Sequence, residues 1–254
     1  MKPPSRSIWP NDCLGALSLT FDDGMASQLE IVVPLLNKFG FHATFYLNPR
    51  GENWREVLEP WRDVAAAGHE IGNHTISHTC SSNFSGDPRG IGLESMALKD
   101  IEEDILEAQR RIGEAFPKQR NCTFCYPCYQ AFVGRGRVRQ SYVPIVAKYF
   151  IAARGRGEVA NHPAACDLLY LCSWPSERTS GSELVGLAES TTHDGRWGIL
   201  TFHGIHQGHL PVADVDFQEL IDFLDRNRRR IWVAPTVEVA QRIIDWRKET
   251  GSEV

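Results

Sequence analysis

The chain has 254 residues, 42% of them hydrophobic and 23% charged, which is typical of a soluble globular protein with a sizeable core. Its 27 Lys and Arg against 32 Asp and Glu give a net charge of −5, which does not favour a nucleic-acid partner. No apolar run approaches the ~20 residues of a membrane span, and the N-terminus lacks the apolar core of a secretory signal. Seven cysteines, an odd number spread along the chain, do not resemble a secreted disulfide framework, so we expect a reducing, cytoplasmic setting.

Short apolar runs alternate with segments of helical periodicity along the chain. The pattern predicts a strand at ALSLTF, a helix at SQLEIVVPLLNKFG, a strand at HATFYL, a helix at WREVLEPWRDVAAAG and a strand at HEIGNH. It continues with a helix from Glu94 to Phe116, a strand at CTFCYP, a helix and short strand within 141–153, and a strand at LLYLCS. The remainder predicts helix GSELVGLAEST, strand WGILTFHG, helix DFQELIDFLDRN, strand RIWVAP and helix TVEVAQRIIDWRKE.

Repeated strand–helix units of this kind are typical of a parallel sheet in an α/β protein. About seven such units in one chain favour a distorted (β/α) barrel over an open sheet. No internal repeat, low-complexity tract or linker interrupts them, so residues 1–254 are predicted to form a single domain. Because barrel sites lie at the C-terminal ends of the strands, polar residues at those ends are the first candidates for function.

Five polar residues follow predicted strands. Asp22 and Asp23 end the first strand in LTFDDG, His74 and His78 follow the third in HEIGNHTISH, and His203 ends WGILTFHG. On one helical turn the HxxxH histidines would share a face, a common spacing for two imidazole ligands of one metal. A catalytic zinc-type site takes about three protein ligands, so one aspartate can complete the set while the other stays free as a base. Each motif alone has a plainer interpretation, a turn or a surface pair, but together they favour a metal site.

The segments LTFDDG, HEIGNHTISH and LTFH resemble, in order and separation, the first, second and fifth motifs of the polysaccharide deacetylase family. This is the NodB-homology group, or carbohydrate esterase family 4. The resemblance spans roughly Leu17 to His203. It implies a distorted barrel with fewer than eight regular units, and the removal of N- or O-acetyl groups from glycans such as chitin, peptidoglycan or xylan.

The same resemblance implies a role for each of the five residues. Asp22 corresponds to the catalytic base, and His203 to the general acid that protonates the leaving amine. Asp23, His74 and His78 correspond to the ligands of a divalent metal, most often Zn²⁺ and sometimes Co²⁺ or Ni²⁺. Histidine suits the acid role because it exchanges protons near neutral pH.

The third motif departs from the family pattern. The family often has R-x-P-Y-G there, with the arginine pairing the catalytic aspartate, whereas this chain has FCYPCYQ with Cys125 at the arginine position. Without that arginine we expect a higher pKa for Asp22. Possible substitutes, for which a solvated basic loop is the plainer interpretation, are Arg135, Arg137, Arg139, Arg154 and Arg156.

Substrate contacts are expected from the third motif and from one further aromatic residue near the cleft. The candidates are Tyr126, Pro127, Cys128, Tyr129 and Trp174. Cys122, Cys125 and Cys128 have the C-x₂-C-x₂-C spacing of some zinc and iron–sulfur sites. No fourth ligand is evident, and residues three apart on a strand face opposite sides, so ordinary buried thiols are the better interpretation.

Two functions besides glycan deacetylation stay open. A cytosolic hydrolase of cyclic amides or ureides, similar to allantoinases, shares the fold and is favoured by the missing motif arginine. A glycan-binding pseudoenzyme is opposed by the presence of every expected metal ligand and base. We expect an acetylated sugar or glycan as the partner, with no nucleic acid or membrane; the sequence leaves the glycan, the native metal and the oligomeric state open.

Overall fold

The computed structural model describes residues 7–85 and 92–251 of the chain. Its strands are β1 (Gly15–Asp22), β2 (Thr44–Leu47), β3 (Glu70–Asn73), β4 (Phe124–Cys125), β5 (Phe132–Val133), β6 (Gln140–Ser141), β7 (Ala153–Arg154), β8 (Trp174–Pro175), β9 (Trp197–Phe202) and β10 (Ile231–Val233). Its α-helices are α1 (Val33–Phe39), α2 (Trp54–Leu58), α3 (Trp61–Ala66), α4 (Ser82–Ser85), α5 (Leu98–Ala115), α6 (Val143–Tyr149), α7 (Gly181–Ser190), α8 (Asp214–Arg226) and α9 (Thr236–Thr250). None of the helices in these ranges has both the length and the apolar character needed to cross a membrane.

Eight of the strands form one parallel sheet that curls into a distorted barrel. The hydrogen-bonded order is β7-β4-β3-β2-β1-β9-β8, and β10 pairs with the first residues of β1. Leu171, which lies just before β8, forms a parallel bridge with Arg154 at the end of β7, so the two ends of the path meet. This is the fold class that the sequence predicts, and it gathers the C-terminal ends of the strands at one rim.

Alternation along β1 decides which side chains point into the barrel. Leu19 and Phe21 belong to the main hydrophobic core, packed with residues of the outer helices. The alternate residues Ser18 and Thr20 instead donate hydrogen bonds to backbone carbonyls of neighbouring segments, at 2.8 Å each. Because side chains of a strand alternate between its two faces, Asp22 shares the inner, polar face with Ser18 and Thr20.

The main core lies between the sheet and helices α1, α7 and α8. At its centre Phe21 stacks on Phe45 and Phe202, and meets the edge of Phe217, with ring centroids 5.1 to 5.9 Å apart. Burial of each such ring contributes roughly 1.5–3 kcal/mol to stability. This packing fixes the strands, and therefore the positions of the side chains at their ends.

Among the elements that differ from the sequence-based prediction are one helix and one strand. The segment WREVLEPWRDVAAAG forms two short helices, α2 and α3, because Pro60 cannot occupy a helix interior. The strand predicted at LLYLCS is reduced to the bridge at Leu171. Its first half is taken up by a turn in which Asp167 accepts hydrogen bonds from the N–H groups of Leu169 and Tyr170.

Candidate metal centre and active site

The two adjacent aspartates reach the same cleft through a change in backbone conformation. Asp22 is the last residue of β1, and Asp23 adopts a left-handed conformation with φ 70°. An ordinary strand would send the two carboxylates to opposite faces, but here both approach His203 Nε2, at 3.8 Å from Asp22 Oδ2 and 3.9 Å from Asp23 Oδ2. Left-handed non-glycine residues are uncommon and concentrate at functional sites.

Asp23, His74 and His78 form a group that fits a metal ion. Asp23 Oδ1 lies 3.7 Å from His74 Nε2 and 3.6 Å from His78 Nε2. This buried carboxylate oxygen has no hydrogen-bond partner among the described residues. His74 Nδ1 is hydrogen-bonded to the carbonyl of Cys125 at 2.9 Å, which places the proton on Nδ1 and leaves the Nε2 lone pair directed at Asp23. Burial lowers the pKa of His74 to about 4, so the imidazole is neutral, the form that ligates metals.

The HxxxH motif lies in an irregular loop after β3, so the two histidines come together without the helical turn on which their spacing would place them on one face. Thr75 and His78 have φ values of 63° and 51°, and the loop is closed by local hydrogen bonds. Asn73 Oδ1 accepts from the N–H of Thr75 at 2.9 Å, and Thr75 Oγ1 accepts from the N–H of His78 at 3.0 Å. The rings of His74 and His78 meet edge to face with centroids 4.7 Å apart, so the loop brings both imidazoles to one point.

Asp22 is paired with Arg154, the last residue of β7. Arg154 is fully buried, and its Nη2 donates to Asp22 Oδ1 at 2.6 Å, while Nη1 contacts the hydroxyl of Thr201. Strands β4 and β7 pair with Cys125 opposite Arg154. The guanidinium therefore reaches Asp22 from the strand adjacent to the third motif, whose expected arginine position holds Cys125.

This pair reverses the expected pKa shift of Asp22. Burial by itself raises the pKa of Asp22, but the charge and hydrogen bonds of Arg154, together with the neighbouring histidines, leave it below the usual value. The expectation of a raised pKa is wrong because it assumed a site without an arginine. Burial raises the pKa of Cys125 well above its usual value, so that residue is a neutral thiol beside the ion pair.

Gln28 ties the ends of β1 and β9 together beneath the cleft. Its Nε2 donates to the carbonyl of Asp22 at 2.6 Å and to that of His203 at 3.0 Å. The ring of His203 also meets that of His209 edge-on, with centroids 5.6 Å apart. Sequence reasoning missed Gln28 because it lies in the helical segment after β1, where nothing local marks a glutamine that braces two strands.

The cleft above these groups has a volume of about 480 Å³. Of the predicted substrate residues, Tyr126, Cys128 and Tyr129 line it. Trp174 does not, because it packs into the main core between the sheet and the helices, and Pro127 is buried within its turn. The prediction of cleft positions for these two residues is therefore wrong.

Several further walls of the cleft were not assigned from the sequence. They are supplied by separate loops, and include Phe84, Arg156, Glu177 and Leu210. These loops are far apart along the chain, so no local pattern marks their residues as neighbours.

Cys80 and Cys128 form a disulfide at the wall of the cleft, with their Cα atoms 5.8 Å apart. It joins the loop that carries His78 to the turn after β4. The expectation of reduced cysteines throughout is wrong for this pair. Cys122 and Cys125 are buried free thiols, so the C-x₂-C-x₂-C segment does not form a metal site with Cys128.

A larger cavity of about 700 Å³ lies at the opposite end of the strands, next to His69 and Glu70 at the start of β3. Its buried polar groups are already satisfied. Glu70 accepts hydrogen bonds from Thr123 and from the N–H of Val237, and His69 Nδ1 accepts from the N–H of Ala43. These groups brace the barrel, which leaves the other rim as the candidate site.

Comparison with known proteins agrees with the geometry of that rim. Residues 12–131, which include the aspartate pair and the HxxxH motif, match the family model for polysaccharide deacetylases. The matched residues are slightly under half of the chain, and over this part the chain is similar to the polysaccharide deacetylase family. A chitin deacetylase of Pestalotiopsis sp is 42% identical over 92 residues, which is 35% of this chain and 30% of that protein. The chain spans between 9% and 46% of the length of the curated relatives that it matches.

Solved structures extend the likeness beyond the matched segment. A crystal structure from Mycobacterium smegmatis, described as that of a putative polysaccharide deacetylase, superposes with a TM-score of 0.65 at 15% identity, covering 97% of this chain and 96% of that one. A family 4 acetyl xylan esterase from Clostridium thermocellum, solved in complex with a cobalt ion, gives 0.56 at 19% identity, covering 89% and 90%. At these identities the likeness concerns the fold alone, and the predicted distorted barrel is confirmed.

Proposed function

We propose that the chain is a metal-dependent hydrolase that removes acetyl groups from N-acetylated sugars or glycans. The observation that carries the proposal is that two carboxylates with different hydrogen-bond partners lie together at one rim of the barrel. Asp22 is held by the buried charge of Arg154, whereas Asp23 presents an oxygen without a partner among the described residues to two neutral-imidazole ligands. The family match and the chitin deacetylase relative support acetylated glycans as the substrate class.

Asp23, His74 and His78 are the proposed ligands of a divalent ion. We assign Zn²⁺ because one carboxylate and two imidazoles form a donor set of catalytic zinc sites. Co²⁺ and Ni²⁺ accept the same donors, and the xylan esterase neighbour was solved with cobalt. When bound, such an ion supplies Lewis acidity that polarises an acyl oxygen and makes a water more acidic.

Asp22 is the proposed base that takes a proton from the attacking water. The guanidinium of Arg154 holds the carboxylate in its charged form and fixes its orientation. Asp22 Oδ2 accepts a second hydrogen bond from Arg154 Nη2 at 2.5 Å, and it lies 4.0 Å from His74 Nε2 and 3.8 Å from His203 Nε2. A carboxylate that stays charged and lies beside both histidines fits general-base catalysis.

His203 is the proposed donor of the proton to the leaving amine, which does not depart as an anion. The oxyanion that forms on the acyl group needs a further donor. Within 126–129 the N–H groups of Tyr126 and Tyr129 already donate to backbone carbonyls, and the proline between them has none. The N–H of Cys128, at a wall of the cleft, is therefore the proposed oxyanion donor.

The test is acetate release from a panel that contains N-acetylated chito-oligosaccharides, acetylated xylan and a cyclic ureide. Wild-type protein supplied with Zn²⁺ is expected to release acetate from the N-acetylated substrates. Asp22→Asn should abolish the release, whereas Asp194→Asn, the same change at an exposed aspartate outside the cleft, should not. Ring opening of the ureide without acetate release would favour the allantoinase-like alternative, and a metal-loaded protein inert toward the whole panel would favour a binding protein.

A further inference from the structure

Three arginines occupy the turn of the β5–β6 hairpin. Arg135, Arg137 and Arg139 lie within five residues of one another, and none has a carboxylate of the described residues within the 4.0 Å of an ion pair. The chain as a whole carries a net charge of −5, so this concentration of unpaired positive charge is local. Guanidinium groups without internal partners are available to bind carboxylates or phosphates, often through two parallel hydrogen bonds.

The turn holds these arginines in a defined arrangement. Gly134 has φ 74°, and a Cβ there would lie 2.6 Å from the carbonyl oxygen of Val138, so the position requires glycine. The guanidinium of Arg139 lies over the ring of Phe132, 4.3 Å from its centroid. Such stacking orients the guanidinium before any ligand arrives, which lowers the entropic cost of binding.

Two of the three arginines face a depression that adjoins the catalytic cleft. Arg135 and Arg139 line a cavity of about 450 Å³ whose walls also include Tyr129, Phe132 and Tyr170, whereas Arg137 does not line it. Tyr129 lines the catalytic cleft as well, so the two depressions share a wall. The hydroxyl of Tyr170 donates to the carbonyl of Tyr129 at 2.9 Å and fixes that wall.

Glu94 is the acidic residue among the lining residues of this depression. Its carboxylate is engaged by the hydroxyl of Ser81 and by the N–H of Ser82 at 2.9 Å. Among the described lining residues, the two arginines therefore outnumber the single carboxylate, which already has hydrogen-bond partners, and these residues give the depression a positive charge beside aromatic rings.

We propose that this depression is a binding subsite for a carboxylate-bearing sugar of the same glycan whose acetyl group enters the cleft, an inference that rests on the proposed function. Arg135 and Arg139 hold the carboxylate, and the aromatic rings contact the apolar face of the sugar. The carboxylate has two chemical sources: a uronic acid in the glycan chain, or a lactyl ether or peptide substituent on an amino sugar.

The experiment compares kcat/KM for three N-acetylated oligosaccharides of equal length. One is neutral, one contains a uronic acid, and one carries a lactyl ether. Arg135→Gln and the double variant Arg135→Gln/Arg139→Gln are expected to lower the ratio of anionic to neutral kcat/KM, mainly through KM, by about tenfold per arginine. Arg137→Gln removes the same charge outside the depression and should keep the wild-type ratio. A preference for one of the two anionic substrates supports the proposal and identifies the source.

A binding measurement separates this proposal from the proposed function. Calorimetric titration with an oligouronate that carries no acetyl group needs no turnover, so it tests the subsite even in a protein that releases no acetate. Arg135→Gln is expected to fold as the wild type does, because the side chain of Arg135 makes no hydrogen bond or ion pair with the described residues. Equal loss of binding in Arg135→Gln and Arg137→Gln, or no loss in either, would overturn the subsite.

Discussion

Replacing Arg154 with methionine removes the buried counter-charge of Asp22. Both side chains are essentially inaccessible, at 0% and 5% exposure, so water cannot screen the carboxylate that remains. Breaking one partner of a buried pair typically costs about 3–5 kcal/mol in the free energy of unfolding. We expect a loss of this size at pH 7, together with a fall in kcat/KM of about a hundredfold or more, the contribution typical of a general base.

The sign of the pH dependence follows from the pKa of Asp22. In the wild type this pKa lies below its value in the unfolded chain, so the aspartate stabilises the fold above the unfolded pKa and loses that contribution as pH falls. In Arg154→Met the pKa rises, so protonation relieves the buried charge. The difference in unfolding free energy between wild type and variant should therefore shrink from pH 7 to acidic pH, and the acid limb of kcat/KM should move to higher pH.

Denaturant unfolding at several pH values and a pH profile of acetate release measure these effects. Arg62→Met is a matched control, because Arg62 forms an exposed pair with Glu59 and its loss should cost less than about 1 kcal/mol. The double variant Arg154→Met/Asp22→Asn should recover part of the stability that Arg154→Met loses. The reasoning is refuted if Arg154→Met is as stable as the Arg62 variant at pH 7 and keeps the wild-type pH profile.

Two further predictions concern stability. The disulfide between Cys80 and Cys128 closes a segment of 48 residues, so a reductant should lower the free energy of unfolding of the wild type by up to about 4 kcal/mol and leave Cys80→Ser/Cys128→Ser unchanged. Denaturant unfolding measures both, and equal sensitivity of the two proteins to reductant would contradict the cross-link. Burial lowers the pKa of His69 to about 4, against about 6.5 in the unfolded chain. Between these values the unfolded chain binds the extra proton, so the wild type should lose up to about 3 kcal/mol from pH 7 to pH 4, and His69→Asn should lose less. Identical pH slopes for the wild type and His69→Asn would contradict this.

The polar residues at the ends of the strands could be predicted from the sequence, because each of them directly follows an apolar run that is recognisable on its own. Five residues, Asp22, Asp23, His74, His78 and His203, follow apolar runs that a parallel sheet must bring to one rim. The structure places all of them within a few ångströms of one another, although the HxxxH pair does so on a loop. Their catalytic and metal-binding roles stay predictions for the experiments above.

The partner of Asp22 could not be selected from the sequence, because it depends on a non-local register. Cys125 and Arg154 are paired across β4 and β7, and the segment between them gives no sign of that pairing. Trp174 was misplaced for a similar reason, since regular pairing begins at β8 and turns its ring into the core.

The two cysteines of the disulfide are likewise remote in sequence. An odd number of cysteines argued against a disulfide framework, but it does not exclude a single bonded pair among five free cysteines. Disulfides form and persist mainly in oxidising compartments. The cytoplasmic setting that the cysteine count favoured stays a prediction.

The central claim is that Asp23, His74 and His78 bind the metal on which deacetylation depends. The most direct measurement is metal content and acetate release in the same samples of wild type and Asp23→Ala, before chelation, after chelation and after return of Zn²⁺. We predict about one ion per wild-type chain, loss of ion and activity on chelation, and recovery of both on return of the metal, with neither present in Asp23→Ala. Acetate release that persists in chelated wild type or in metal-free Asp23→Ala would contradict the claim.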